Sequence, residues 1–227
     1  MAIKIYDQLE QGTPEWLEAR AGLVTASTVG QLITPAKKQL SKSETATGLM
    51  HTLIAERITG RVEPIPMNRA MERGTLDEPY ARAVYAEHYA PVTEVGFIVN
   101  DDHGYKMGYS PDGLVGDEGL IEIKSRSQRI QLQTVLRDEV PAGNMAQMQM
   151  GMLVTGRKWC DYISYSGGMA LYVKRVHPDP EWFAVIIEAV SAFEKHATET
   201  ISQYLDAVAN RPATEYIEHF PETEFTF

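Results

Sequence analysis

Five residues, Leu120 to Lys124, constrain this chain more than any other stretch. They read Leu-Ile-Glu-Ile-Lys. Side chains on a strand alternate between faces, so Glu122 and Lys124 share one face and Ile121 and Ile123 the other. The isoleucines ask for a core, which places a carboxylate and an ammonium in a mostly buried strand. That arrangement is costly unless something compensates. A divalent cation bridging Glu122 and a second carboxylate would do so. Asp112, in the turn Ser110-Pro111-Asp112-Gly113 just upstream, can supply that carboxylate. Gly116-Asp117-Glu118-Gly119 reads as the turn of a hairpin. If this turn leaves Asp112 opposite Glu122, both carboxylates meet on one face, with Lys124 one pleat further on. A one-residue slip would separate them, and the sequence leaves that register open. The plain alternative is a surface hairpin carrying an ion pair between Glu122 and Lys124.

Composition narrows the function classes. The chain has 227 residues, 44% hydrophobic and 23% charged, which suits one globular domain with a sizeable core. The single cysteine, Cys160, excludes an internal disulfide framework and fits a reducing cytoplasm. There is no N-terminal apolar segment and no long apolar run, so neither export nor a membrane span is expected. The net charge of -10 argues against a general polyanion binder. Nucleic acid stays open as a partner, because carboxylates that hold cations are locally neutralised. The six histidines are scattered, and neither a glycine-rich phosphate loop nor a Gly-x-Ser-x-Gly elbow occurs.

Helix signals come first along the chain. Thr13-Pro14 starts a helix that ends at Gly22, and a short helix follows with Thr25 or Ser27 near its N-terminus. Pro35 to Lys42 reads as a loop, followed by a helix over 43–59 stopped by Gly60. The segment from Val62 to Pro66 is irregular. A helical stretch from about Arg69 to Tyr89 is interrupted near Gly74 and Pro79. The period then switches to strands at Thr93 to Val99, Tyr105 to Tyr109, Leu114-Val115 and Leu120 to Lys124. Helices over 127–138 and 145–155 follow, then a hairpin, Trp159 to Ser166 with Ala170 to Val176, about Gly167-Gly168. A long amphipathic helix from Pro180 to Ala209 precedes the tail. This order predicts an α+β (mixed α/β) fold, a central mixed sheet flanked by helices, in a single domain over 1–227.

Four blocks, taken in order, carry a resemblance. They are Trp16-Leu-Glu-Ala-Arg20-Ala-Gly22-Leu-Val-Thr25-Ala-Ser27, then Gly74-Thr-Leu-Asp-Glu78, then Ser110-Pro-Asp112-Gly113-Leu114 with Glu122-Ile-Lys124, then Ala146-Gln147-Met-Gln149. Together they resemble the phage lambda-type 5′→3′ alkaline exonucleases, a family of the PD-(D/E)xK nuclease superfamily. The resemblance implies a restriction-endonuclease-like core. It also implies a Mg2+-dependent enzyme, with Mn2+ as the other candidate cation, digesting one strand of duplex DNA from its 5′ end to mononucleotides and leaving a 3′ overhang. A ring-shaped homotrimer, a single-strand annealing partner, a phage or prophage origin and the bacterial cytoplasm go with it. Another PD-(D/E)xK endonuclease, or a non-catalytic DNA-end-binding protein, are the rival readings.

The same resemblance distributes roles. Asp112, Glu122, the carbonyl of Ile123 and Glu78 would hold metal. Hard oxygen donors of this kind suit Mg2+ or Mn2+ over zinc. Asp112 could equally be a plain turn residue, and Glu78 a solvated helix-face glutamate. Lys124 would orient water, act as its base or carry charge to the phosphate. Gln147 is the family's site glutamine, but the Tyr of the usual Gln-x-x-x-Tyr is missing here, so Gln149 is an alternative. Arg20, Thr25, Ser27 and Ser110 would bind the 5′-phosphate, the arginine as a charge-assisted fork. Without a ligand, Ser27 and Arg20 would be ordinary helix-end residues. Lys37, Lys38 and Lys42 form the densest basic loop, either solvated or in contact with the DNA backbone.

Overall fold

A computed structural model describes residues 3–63 and 68–217. Most of the Val62 to Pro66 segment and the end of the tail lie outside them. The strands form two main sheets. Strands β1 (Ile3–Tyr6), β4 (Phe97–Asn100) and β5 (Met107–Tyr109) pair antiparallel in the order β1-β4-β5. Strands β6 (Gly113–Val115), β7 (Gly119–Ser125), β8 (Trp159–Tyr165) and β9 (Tyr172–Val176) form a mixed sheet in that order, with β7 and β8 parallel. The segment Ser110 to Asp112 is the link between the two sheets. A third, two-stranded piece, β2 (Ile33–Thr34) with β3 (Gln39–Leu40), turns the expected Pro35–Lys42 loop into a small hairpin. The sequence reading passed over β1, because its exposed alternating pattern looks like any polar N-terminal segment.

Helices cover both faces of the mixed sheet. Helix α4 (Arg69–His88) lies on the face carrying Ile121, Ile123 and Ile163, where it buries Ala81 and Tyr85. Helix α6 (Ala142–Thr155) lies on the other face, over Leu120, Cys160 and Tyr162. Helix α4 runs unbroken through Gly74 and Pro79, correcting the expected interruption. A proline inside a helix removes one backbone bond. Here the packed face of Ala81 and Tyr85 holds the remaining turns in line. The cap that starts α4 is Asn68, whose Oδ1 accepts from Ala70 N and Met71 N at 2.9 and 3.0 Å.

The other helices follow their start signals. Helix α1 (Pro14–Arg20) is capped by Thr13, and α3 (Glu44–Thr59) by Ser43, with Gly60 at φ 71 ending it. Helices α2 (Ala26–Val29) and α5 (Gln128–Arg137) are shorter. Helix α7 (Pro180–Val208) explains the long C-terminal pattern. It buries Trp182, Val185, Ile186, Val190 and Phe193 in the main core, while Tyr204 and Leu205 stay exposed beyond Ala197. Arg57 grips Glu194 through both Nη atoms at 2.7 and 2.6 Å and ties α3 to α7.

Candidate active site

The hairpin β6–β7 resolves the register. Gly113 faces Ile121, Leu114 faces Leu120 and Val115 faces Gly119. Continued by one step, the ladder sets Asp112 against Glu122. Three turn residues, Gly116 to Glu118, produce this pairing, and Gly116 takes φ 51, a region that favours glycine. The turn is held by Arg157, whose Nη1 donates to the carbonyls of Gly116 and Gly119 at 2.7 Å.

Glu122 is fully buried. Lys124 Nζ forms an ion pair with its Oε1 at 2.7 Å. Oε2 has no hydrogen-bond partner among the described residues. Burial, then the Asp112 charge, push the Glu122 carboxyl up to about 8. Burial also raises Asp112, offset in part by Lys124, by the Ile123 N–H and by Arg82. Asp112 Oδ2 accepts that N–H at 2.6 Å, so Ile123 is tied to the site through its backbone. Lys124 is pulled down by burial but raised more by Glu122 and Asp112, and its ammonium is held protonated.

Glu78 comes from α4 and borders the same cavity as Asp112 and Lys124, a space of about 640 Å³. Burial and the Asp112 charge raise it to about 7. Its Oε1 is also taken by Arg82. Arg82 is a site residue that the sequence reading missed. Its Nε donates to the Asp112 carbonyl at 2.8 Å and its Nη1 to Glu94 at 2.6 Å, so it clamps the inter-sheet turn to α4. The Gly-x-x-x-Glu block drew attention to Glu78, yet an arginine one turn later carries no signal of its own. Gln11 Nε2 pins the same turn from the other side at Pro111 O, 3.1 Å.

The four expected phosphate residues converge. Arg20 Nη1 donates to Ser110 Oγ at 2.8 Å, and its Nη2 to Ser27 Oγ at 3.1 Å and Thr25 Oγ1 at 3.4 Å. Trp16 joins them unannounced by the sequence. Its Nε1 donates to Ser110 Oγ at 3.0 Å, and its ring lies 4.0 Å from the Arg20 guanidinium. Burial lowers Arg20 to about 10, with Glu56 opposing. No carboxylate forms an ion pair with it among the described residues.

The remaining candidates separate. Gln149 is buried and committed at both ends, donating to His177 O and accepting from Asp179 N at 2.9 Å each. It therefore clamps α6 to the segment before α7. Gln147, half-buried, is left as the glutamine able to meet a ligand. Lys38 is paired with Asp179 and Glu181 at 2.7 Å, while Lys37 and Lys42 are exposed. None of the three lines the cavity at Asp112.

Among the described residues no group of three or more His, Cys, Asp and Glu forms a metal cage by itself. The residues still fit a hard cation. A buried glutamate whose Oε2 has no partner among the described residues, beside a second carboxylate, is an oxygen-only donor set.

Comparison with known proteins gives the family and the fold. Residues 15–158 match the model of the YqaJ-like viral recombinase domain. The chain is similar to the crystal structure of an alkaline exonuclease, LHK-Exo, from Laribacter hongkongensis, with 38% identity and a TM-score of 0.77 over 88% of this chain and 100% of that one. The structure of LHK-Exo in complex with dAMP gives 37% and 0.78 over the same shares. A phage-related exonuclease from Haemophilus somnus 129PT shares the fold, at 15% identity and a TM-score of 0.57, over 80% of this chain and 96% of that one. No curated protein matches the chain. Fold and likeness together define a nuclease of the exonuclease type, built on the restriction-endonuclease-like fold. The four blocks had pointed to that class. The chain belongs to the YqaJ-like viral recombinase family.

Proposed function

We propose that this protein is a Mg2+-dependent 5′→3′ exonuclease on duplex DNA that leaves a 3′ single-stranded overhang. One observation carries the reading. The Arg20–Ser110 cluster, a desolvated cation without an ion-paired carboxylate, reaches through Ser110, two residues before Asp112, to the carboxylate pair of Asp112 and the buried Glu122. An anion grip beside a carboxylate pair suits an enzyme that holds a terminal phosphate and hydrolyses the next one.

Asp112, Glu122 and Ile123 would hold the divalent cation, Mg2+ or Mn2+, with Glu78 joining when Arg82 releases it. A bound divalent cation supplies a Lewis acid and lowers the pKa of water. Lys124, held protonated by two carboxylates, acts as charge and donor toward the phosphate rather than as base. Gln147 faces the substrate from α6. Arg20, with Thr25, Ser27 and Ser110, fixes direction, because each cut produces a fresh 5′-phosphate for the same grip. A homotrimeric ring, a partner that anneals single strands and a place in the bacterial cytoplasm complete the reading and rest on the family resemblance. A ring would reconcile the net charge of -10 with DNA binding, since a topologically trapped duplex needs less attraction.

The test uses end-labelled duplexes with 5′-phosphate or 5′-hydroxyl ends, in Mg2+ and in EDTA. Cleavage should need Mg2+ and favour the phosphorylated end. Arg20→Ala should lose that preference by about tenfold to a hundredfold, the worth of one charge-assisted contact. An Arg20→Ala enzyme with the preference intact would refute the assignment.

A further inference from the structure

We infer that Arg126 binds a backbone phosphate of the strand being cut, on the 3′ side of the scissile bond. This rests on the reading in which Arg20 holds the 5′-terminal phosphate. Arg126 follows β7 directly, and its N–H donates to Tyr165 O at 2.7 Å, so its backbone is fixed. Nη2 donates to Asn144 Oδ1 at 2.8 Å and to Tyr162 Oη at 3.1 Å. Both partners are neutral. They aim the guanidinium without cancelling its charge. Nε is buried with no partner at all.

Three other inward-reaching arginines are charge-paired: Arg57 with Glu194, Arg82 with Glu78 and Glu94, and Arg175 with Asp161. Arg20 and Arg157, like Arg126, are held by neutral groups, and Arg157 spends its donors on the hairpin turn. Arg126 has no ion pair among the described residues, although it borders the cavity that holds Asp112 and Lys124. A half-buried, oriented guanidinium with unused donors fits an anion that arrives from outside. Asn144 opens the α6 segment that carries Gln147, so Arg126 also fixes that segment's start.

Strand polarity selects which anion. A second cavity, about 650 Å³, lies on the Trp16 and Pro111 side and meets the Arg126 cavity at Thr75 and Glu78. With the terminal phosphate at Arg20, the first nucleoside occupies the Trp16 side. The scissile phosphate then reaches Asp112 and Glu122. The strand continues past Glu78 into the cavity lined by Lys124 and Arg126, where the next phosphate meets the guanidinium.

The experiment measures binding of dTMP and of 5′-phosphorylated tetrathymidylate to protein carrying Glu122→Gln, in EDTA, so that nothing is cut. Adding Arg126→Gln should leave dTMP binding unchanged and weaken the tetranucleotide by about tenfold or more. The slope of log affinity against log salt should fall by about 0.7, the share of one phosphate on a single strand. Arg126→Lys should restore the slope but not the full affinity, since lysine lacks the fork. An unchanged salt slope in Arg126→Gln, or a slope loss only with a lowered melting temperature that Arg126→Lys fails to rescue, would mean a structural role and overturn the inference. Equal weakening of dTMP and the tetranucleotide would also overturn it, by placing Arg126 at the terminal phosphate. If instead Arg20→Ala leaves dTMP binding intact while Arg126→Gln still flattens the slope, end capture by Arg20 is wrong and the contact at Arg126 stands.

Discussion

Replacing Glu122 by glutamine keeps the side-chain shape and deletes a fully buried carboxyl whose ion-pair partner is Lys124. In metal-free protein this carboxyl is raised from its ordinary 4.5 to about 8. A raised acid means that the folded protein holds a proton the unfolded chain has released. Stability therefore falls as pH rises from about 4.5 to about 8, and levels off above. At 1.36 kcal/mol per pH unit the full gap sets an upper limit of about 5 kcal/mol. Asp112 is raised by burial and Glu78 by burial and then the Asp112 charge, so they add slope in the same direction. Lys124 loses one partner in the variant and keeps Asp112, which reduces the gain. A net difference of about 2–3 kcal/mol between pH 5 and pH 8 is expected, equal to roughly 5–10 °C in melting temperature for a chain of this size. The assay is thermal unfolding of both proteins at pH 5 and pH 8 in EDTA, then at pH 8 with Mg2+. Wild type should lose stability at pH 8 and recover it with Mg2+. Glu122→Gln should show a flatter pH response and little recovery. Equal pH responses in EDTA would refute the claim that Glu122 is a buried charge awaiting a cation.

Three further outcomes test the site. Lys124→Arg should keep part of the cleavage activity with an unshifted pH–rate profile if Lys124 acts as charge; an inactive Lys124→Arg of native stability would restore the base role. Arg82→Ala should free Glu78 to join the cation, lowering the Mg2+ concentration needed for half-maximal cleavage because the competing guanidinium is gone. Gln149→Ala should cost about 1–3 kcal/mol in chemical denaturation, because it leaves buried backbone groups unpaired, whereas Gln147→Ala should lower cleavage at unchanged stability.

Much of the site could be read from residues alone because its signals are local. A carboxylate between isoleucines in a strand is a conflict within five residues. The helix start at Thr13-Pro14 and the stop at Gly60 are equally short-range, and each appears where expected. Local signals also misled. Gly74 and Pro79 suggested a break in α4, since helix propensity says nothing of the packed face that carries the helix through. What the tertiary structure alone decided depends on partners far apart in the chain. The three-residue turn set Asp112 opposite Glu122, a choice that side-chain alternation permits but does not make. Arg82 reaches the Asp112 carbonyl across 30 positions, and Lys38 reaches Asp179 across 141, committing one lysine of a supposed basic loop to a surface ion pair. Gln149 and Gln147 are indistinguishable as letters on one helix. Only the meeting of α6 with the chain before α7 engages the first and leaves the second open, because a hydrogen bond depends on where the partner lies in space and not on the residue's own position in the sequence.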